Sequence, residues 1–187
     1  MTRTVIGLSG SLREKSFNGA ALQLAGKLLS PHLKMMSLDW RQVPVFDADV
    51  LAQGEPPMVA ELKRLIHDAA GVVIATPEYN FSIPGGLKNL IDWLSRGTDQ
   101  PFVNKPVALL SAATGPLGGA RVQYDLRKVL LFVNAAVLAK PEVFIGAAAT
   151  KFDEQGNCTD APTRQFVADQ MQAFERWIER VERMGPV

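Results

Sequence analysis

The chain has 187 residues, of which 47% are hydrophobic and 21% charged, and its formal net charge is +1. A length below roughly 250 residues predicts one domain spanning 1–187, and the near-neutral charge argues against a nucleic-acid partner or an anionic membrane surface. A single cysteine, Cys158, excludes an internal disulfide framework, and no apolar run approaches a bilayer span, so we expect a cytoplasmic protein without membrane insertion.

The first third of the chain predicts a strand, a helix, a second strand and an irregular segment. Residues 4–8 form an apolar run typical of a strand, and helical spacing of apolar residues begins after Asn18. Ser30-Pro31 ends this helix, and a short strand is predicted over 33–38. Residues 40–57 are rich in Pro, Asp and Gln and are predicted to be irregular.

The remainder continues the alternation of helix and strand. Apolar residues recur at helical spacing over 58–69, 87–94, 122–133 and 167–181, whereas strand patterns cover 72–75, 107–112 and a split fifth strand at 135–138 and 143–145. Five strands alternating with five helices predict parallel strands joined by right-handed crossovers, which is a doubly wound three-layer α/β sandwich. Ligands of such sheets bind at the carboxyl ends of the strands, where loops 9–18, 76–86 and 111–120 are expected to meet.

The loop after the first strand has the composition of a phosphate-binding loop. Ser11, Arg13 and Ser16 lie within six residues and are followed by a helix N-terminus, whose N–H groups and dipole favour an anion. The plain alternative is a solvated turn in which Ser16 or Asn18 caps the helix, and for Asn18 alone the cap is favoured. Arg13 and Ser11 together favour a bound phosphate.

Three nucleotide classes compete for this loop. A P-loop requires glycine before Lys15-Ser16, where the chain has Glu14, and a dinucleotide fold requires a glycine spacing that Gly7 and Gly10 do not provide. A mononucleotide fold, in which hydroxyls and backbone amides hold a terminal phosphate, has FMN as its usual ligand. The residues favour this third class.

Two long motifs stand out in the sequence: GSLREKSFN at 10–18 and TPEYNFSIPGGLKNLIDWLSR at 76–96. They resemble the NADPH-dependent FMN reductase family, in particular its chromate- and quinone-reducing branch, and the similarity continues through 105–106, 118–121 and 140–142. The resemblance implies a flavodoxin-like sheet of order 2-1-3-4-5 with helices on both faces and non-covalent FMN. It also implies electron transfer from NADPH or NADH to quinones, other small organic acceptors or metal oxyanions such as chromate, by a homodimer or homotetramer.

The same resemblance assigns the site residues. The FMN phosphate loop would comprise Ser11, Leu12, Arg13, Ser16, Phe17 and Asn18. The isoalloxazine ring would contact Pro77, Glu78, Tyr79, Asn80 and Phe81, and the backbone of Ala113 would approach it from the third loop. No side chain is assigned as catalytic, because a flavin carries out the hydride chemistry itself.

Several other features have alternative interpretations. Arg121, Tyr124 and Glu142 form either a polar contact between subunits or an isolated surface cluster, and Trp40 is a candidate for the edge of the site. Two histidines and one cysteine without ligand spacing predict no metal site. The alternative function is a flavodoxin-like electron carrier or flavin-binding sensor without turnover, although a carrier usually has a strongly acidic docking surface.

Overall fold

The computed structural model describes residues 2–185, which form a parallel sheet flanked by helices. The strands are β1 (Arg3–Ser9), β2 (Leu33–Ser37), β3 (Gly71–Ala75), β4 (Pro106–Ala112), β5 (Ala136–Val137) and β6 (Val143–Ile145). The helices are α1 (Phe17–Lys27), α2 (Ala48–Gln53), α3 (Pro57–Asp68), α4 (Gly85–Leu94), α5 (Ala120–Phe132) and α6 (Ala161–Met184). A short 3-10 helix covers Ala148–Thr150.

The strand order is β2-β1-β3-β4-β5, and β6 pairs with β4 beyond the end of β5. All of these pairs are parallel, so the predicted flavodoxin-like order 2-1-3-4-5 is confirmed and a sixth strand is added. Strand β2 lies on one side of β1 within the sheet and β3 lies on its other side, so the direction of the chain across the sheet reverses after β2. Because Ser9 pairs with Ala75 at the ends of β1 and β3, the loops that follow them leave the sheet side by side.

The sheet has a hydrophobic core on each face. Successive residues of β3 alternate between them: Val73 and Ala75 pack with α1 and α6, whereas Val72 and Ile74 pack with α3, α4 and α5. All five residues of β3 are buried, as its continuous apolar pattern predicts. On α1 the small side chain of Ala21 faces the sheet, which lets this helix and its N-terminus lie close to the strand ends.

One part of the irregular-segment prediction is wrong. Residues 48–53, inside the segment 40–57 predicted to lack regular structure, form helix α2. Asp47 caps it by accepting the N–H two residues later at 2.8 Å, and Gly54 ends it with a φ of 132°. The helix buries none of its residues, so its sequence carries no apolar periodicity by which it could have been recognised.

The predicted split of the fifth strand is confirmed, and a buried glutamine bridges the gap that it leaves beside β4. Gln170 Nε2 donates to Leu109 O at 3.0 Å and to Pro141 O at 2.9 Å. This side chain replaces ladder hydrogen bonds where β5 has ended and β6 has not begun, because buried carbonyls need donors. A second buried glutamine, Gln123 on α5, donates to Val143 O at the start of β6 at 2.8 Å.

Candidate active site

Three loops leave the carboxyl ends of β1, β3 and β4 and meet at the switch in strand order: the phosphate loop (10–16), the hairpin loop (76–84) and the third loop (113–119). The first two touch at Gly10, whose N–H donates to Ala75 O at 2.8 Å. A β-carbon at Gly10 would lie 2.3 Å from Thr76 Oγ1. Glycine is therefore the residue that allows these loops to approach so closely.

The phosphate loop is organised by serine hydroxyls. Ser16 is the N-cap of α1 and its Oγ accepts the N–H groups of Asn18 at 3.2 Å and Gly19 at 3.4 Å. At the start of the loop Ser9 Oγ donates to Ser11 O at 2.9 Å. The predicted helix cap is thus Ser16 and not Asn18, which is the second residue of the helix.

The same loop keeps positive groups available to a ligand. Arg13 and Lys15 are exposed, and within residues 2–185 the guanidinium of Arg13 forms no hydrogen bond or ion pair. The backbone N–H groups of Ser16 and Phe17, at the N-terminus of α1, likewise meet no acceptor in the described chain. A cavity of about 420 Å³ opens beside the loop, and its lining includes Arg13 and Lys15 together with Glu14, Asp153 and Glu154. The free backbone donors and the unpaired guanidinium suit an anion, whereas the lining of the cavity as a whole is not positive.

Asn18 lies beneath the loop and not on its surface. It is 3% exposed, its Nδ2 donates to Ala112 O at 2.9 Å, and its Oδ1 accepts from Ala112 N at 2.9 Å. The carboxamide therefore joins the start of α1 to the end of β4. A contact between Asn18 and a phosphate stays a prediction.

The hairpin loop contains a turn that the sequence analysis did not identify. Tyr79 N donates to Ser82 O at 3.0 Å and Ser82 N donates to Tyr79 O at 2.9 Å. Between them Asn80 and Phe81 have φ values of 49° and 66°, the left-handed pair of a type I′ turn. A phenylalanine in this region costs on the order of 1–3 kcal/mol, a strain that is typical of functional sites. Tyr79 and Phe81 are both exposed at this edge of the sheet.

Arg121, at the start of α5, holds the hairpin loop in place. Its Nε donates to Glu78 Oε1 at 2.6 Å, and its guanidinium carbon lies 3.9 Å from the centroid of the Phe81 ring. The Glu78 side chain is only 9% exposed, so its carboxylate is paired in a mostly buried position. This pairing joins residues 43 positions apart and has no signal in the local sequence.

The predicted cluster of Arg121, Tyr124 and Glu142 is only partly assembled. Arg121 turns toward the hairpin loop, whereas Glu142 forms an ion pair with Lys140 Nζ at 2.5 Å. Hydrogen bonding from Lys140, the nearby Arg127 charge and the Tyr124 hydroxyl together lower the pKa of Glu142 below its usual value. Tyr124 stays half exposed beside it.

The third loop is fastened to the sheet by its own backbone. Ala113 N donates to Ile145 O at 3.0 Å, and Ala113 O accepts from Ala148 N at 3.0 Å. A β-carbon at Gly118 would lie 2.7 Å from the carbonyl carbon of Phe144, so this glycine permits the close approach to β6. The backbone groups of Ala113 are thus engaged within the protein, and its contact with a cofactor stays a prediction.

Trp40 lies behind the site and not at its edge. It is buried, and its Nε1 donates to Ser9 O at 3.0 Å at the end of β1. Its ring packs against Gly86 in the first turn of α4, where a β-carbon would come within 3.1 Å of it. Trp40 therefore supports the strand end from which the phosphate loop departs.

Residues 2–185 contain no group of three or more His, Cys, Asp or Glu side chains placed to hold a metal ion. In the same residues, none of the helices combines the length and the apolar character that crossing a bilayer requires.

Comparison with known proteins gives one consistent family. Residues 3–150 match the model of the NADPH-dependent FMN reductase family. An NAD(P)H-dependent FMN reductase of Pseudomonas aeruginosa is 45% identical over 177 residues, covering 95% of this chain and 96% of the relative. A quinone reductase of Escherichia coli is 44% identical over 181 residues, with coverage of 95% and 96%. The structure of FerB, a flavoenzyme NAD(P)H:(acceptor) oxidoreductase from Paracoccus denitrificans, superposes with a TM-score of 0.87 at 34% identity and covers 96% of this chain and 98% of its own.

Proposed function

This chain belongs to the NADPH-dependent FMN reductase family, and from that premise we propose that it is an FMN-dependent NAD(P)H oxidoreductase that reduces quinones. The relatives named as FMN reductase and quinone reductase cover nearly the whole chain, and the predicted order of the sheet strands is confirmed. The observation that carries the proposal is the phosphate loop, with its free N–H groups and unpaired guanidinium at the switch point of the sheet. We propose further that residues 1–187 act as one FMN-binding domain.

The donors present in the loop fit a phosphate dianion. Ser16 N and Phe17 N have no acceptor among residues 2–185, and Arg13 is free to supply two parallel N–H donors. Free N–H groups occur at any helix N-terminus, so the unpaired Arg13 beside them is what favours a bound anion over a simple cap. We therefore propose that the phosphate of FMN lies against Ser11, Leu12, Arg13, Ser16 and Phe17, in front of the buried Asn18.

When bound, FMN supplies a ring that accepts a hydride from NAD(P)H and returns electrons to an acceptor. The chain's own residues bind and orient this group. The ion pair with Arg121 holds Glu78 and keeps the hairpin loop against α5, and Tyr79 presents a half-exposed aromatic wall. We propose that Pro77, Glu78, Tyr79, Asn80 and Phe81 face the ring and that no side chain acts as a general acid or base.

The acceptor side is open to solvent and carries both aromatic and cationic groups. Phe81 is 69% exposed, and Arg121 lies directly over its ring. An aromatic surface suits a planar quinone. The charge of Arg121 is already paired with Glu78, so it provides no net attraction for an anion. We propose chromate as a further acceptor on the resemblance of the two motifs to the chromate-reducing branch, and chromate is expected to restore the flavin spectrum of the NADPH-reduced protein in the absence of oxygen.

We also propose that the protein assembles as a homodimer or homotetramer. Three large apolar side chains on α5 are exposed: Tyr124 at 51%, Leu131 at 77% and Phe132 at 80%. Tyr124 and Leu131 are seven residues apart and share one face of the helix, and Phe132 adds exposed apolar surface at its end. Exposed apolar side chains gathered on one helix are typical of a surface covered by another chain. Sedimentation equilibrium measures the assembly state directly, and a monomer at micromolar concentration would contradict this proposal.

On the ground of its single cysteine we propose the cytoplasm as the location of the protein, which cell fractionation tests.

The decisive experiment is spectroscopic. Purified protein, after incubation with FMN, is expected to show a flavin spectrum that NADPH or NADH bleaches without oxygen and that a quinone restores. Steady oxidation of NAD(P)H with a simple quinone would exclude a carrier or sensor without turnover. Protein that takes up no FMN would refute the proposed function. The Arg13→Ala variant is expected to bind FMN about 10- to 100-fold more weakly, because a charged hydrogen bond is lost.

A further inference from the structure

Asn18 is placed where the sheet changes its pattern of hydrogen bonds. Strand β3 ends at Ala75, and the last N–H on its β4 side is Thr76 N, which donates to Leu110 O at 3.1 Å. Strand β4 continues for two more residues, to Ala112. On the β3 side of β4, the backbone at Ala112 therefore has no strand to pair with.

The carboxamide of Asn18 takes the place of that missing strand. Ala112 is 2% exposed, so its N–H and C=O cannot be satisfied by bulk water. Asn18 Oδ1 accepts from Ala112 N and Asn18 Nδ2 donates to Ala112 O, both at 2.9 Å. An amide is the side chain that can both donate and accept in this way, and only one orientation of it satisfies both groups.

We propose that Asn18 is a positioning residue that sets the distance between the two ends of the flavin site. One end is the N-terminus of α1, where the phosphate is expected, and the other is the third loop, which begins at Ala113 directly after the residue that Asn18 holds. The two are 94 residues apart in the chain, and the carboxamide is the direct polar tie between them. This inference rests on the proposed function for the identity of the flavin, but the tie itself belongs to the flavin-free protein.

A positioning role for Asn18 and a phosphate-binding role predict different affinities for FMN and riboflavin. Riboflavin has the same ring as FMN but lacks the phosphate. A residue that binds the phosphate contributes to FMN affinity and not to riboflavin affinity, whereas a residue that aligns the third loop contributes to both. The ratio of the two affinities therefore separates the roles.

The test compares Asn18→Ala and Asn18→Asp with Arg13→Ala, which removes a proposed phosphate ligand from the same loop. Dissociation constants for FMN and riboflavin are measured by quenching of flavin fluorescence, and bound flavin is recorded by visible circular dichroism at saturation. Asn18→Ala is expected to weaken the two ligands by the same factor, within about twofold, and to alter the circular dichroism of the bound ring. Asn18→Asp should weaken FMN further than riboflavin, because its negative charge lies in the first turn of α1 beside the proposed phosphate site, so the affinity ratio is read from Asn18→Ala. Arg13→Ala is expected to weaken FMN alone and to leave that spectrum unchanged.

The flavin-free protein gives an independent measurement. Removal of the carboxamide leaves two buried backbone groups unpaired, so Asn18→Ala is expected to lower the unfolding midpoint by about 5–15 °C and to speed amide exchange at Ala112. Asn18→Asp keeps the acceptor for Ala112 N but places a second carboxylate oxygen against Ala112 O in a buried site, so it should be at least as destabilised as Asn18→Ala. Failure of either variant to fold, while Arg13→Ala folds, supports the same assignment, because a mere phosphate ligand is dispensable without flavin.

Two results would overturn the inference. One is an Asn18→Ala protein with wild-type flavin-free stability and wild-type exchange at Ala112. The other is a selective loss of FMN affinity with riboflavin affinity retained. If the wild type binds neither flavin, the proposed function fails instead, and the exchange measurement still decides whether Asn18 holds Ala112.

Discussion

Replacement of Gly10 by alanine is expected to force apart two loops of the site. The new β-carbon would lie 2.3 Å from Thr76 Oγ1, 2.7 Å from Thr76 Cβ and 3.1 Å from Leu87 Cδ2. Rotation of the threonine side chain could move Oγ1 but not Cβ, so the backbone must shift. The hydrogen bond from Gly10 N to Ala75 O, at 2.8 Å, is then weakened as well.

The magnitude follows from these two effects. Overpacking costs about 1–3 kcal/mol and a strained backbone hydrogen bond about 1 kcal/mol, so Gly10→Ala should lower the free energy of unfolding by about 2–4 kcal/mol. Gly19 provides a matched control in the same motif. It lies in the first turn of α1, and its nearest neighbour to a new β-carbon is Ser16 Cβ at 3.7 Å. Gly19→Ala should therefore stabilise the protein, by about 0.5–1 kcal/mol.

Urea unfolding of the flavin-free variants, followed by circular dichroism, measures both changes. The double variant Gly10→Ala/Thr76→Ala tests whether the contact with Thr76 causes the loss of stability. Thr76→Ala removes the oxygen that clashes, so it should cost less in the Gly10→Ala background than in the wild type. Additive effects, or a Gly10→Ala protein as stable as Gly19→Ala, would show that the two loops are not in the contact described.

Two further predictions concern charged groups near the site. Arg121→Gln should cost about 1–3 kcal/mol of stability, because the mostly buried Glu78 carboxylate loses its cation. Arg41→Gln, which breaks an exposed ion pair, should stay within about 0.5 kcal/mol in the same urea assay, and equal effects would contradict the role of burial. Glu142 has a lowered pKa through its bond with Lys140, so its contribution is present above its unfolded pKa and lost as the pH falls through its folded pKa. The stability difference between wild type and Glu142→Gln should thus shrink as the pH falls below the ordinary glutamate pKa of 4.5, and a difference independent of pH would refute this.

The sequence predicted the main elements because their signals are local. The apolar run of β3 indicated a strand buried on both faces, and the 3.6-residue spacing over 167–181 indicated α6, which is observed over Ala161–Met184. The small residues and hydroxyls that follow β1 likewise predicted a phosphate-binding loop there. Helix α2 was missed because it buries no apolar face.

By itself, the sequence determined the alternation of strand and helix, the three loops at the carboxyl edge and the charge available for a phosphate. Only the tertiary structure decided what several motif side chains do there. Asn18 pairs with Ala112, 94 positions away, and Arg121 pairs with Glu78, 43 positions away. Phe81 adopts a left-handed conformation although no glycine marks that position in the sequence. A local sequence pattern indicates whether a segment forms a helix or a strand and which of its faces is buried. Hydrogen bonds of buried polar groups are settled by whichever distant donor or acceptor the fold brings within reach.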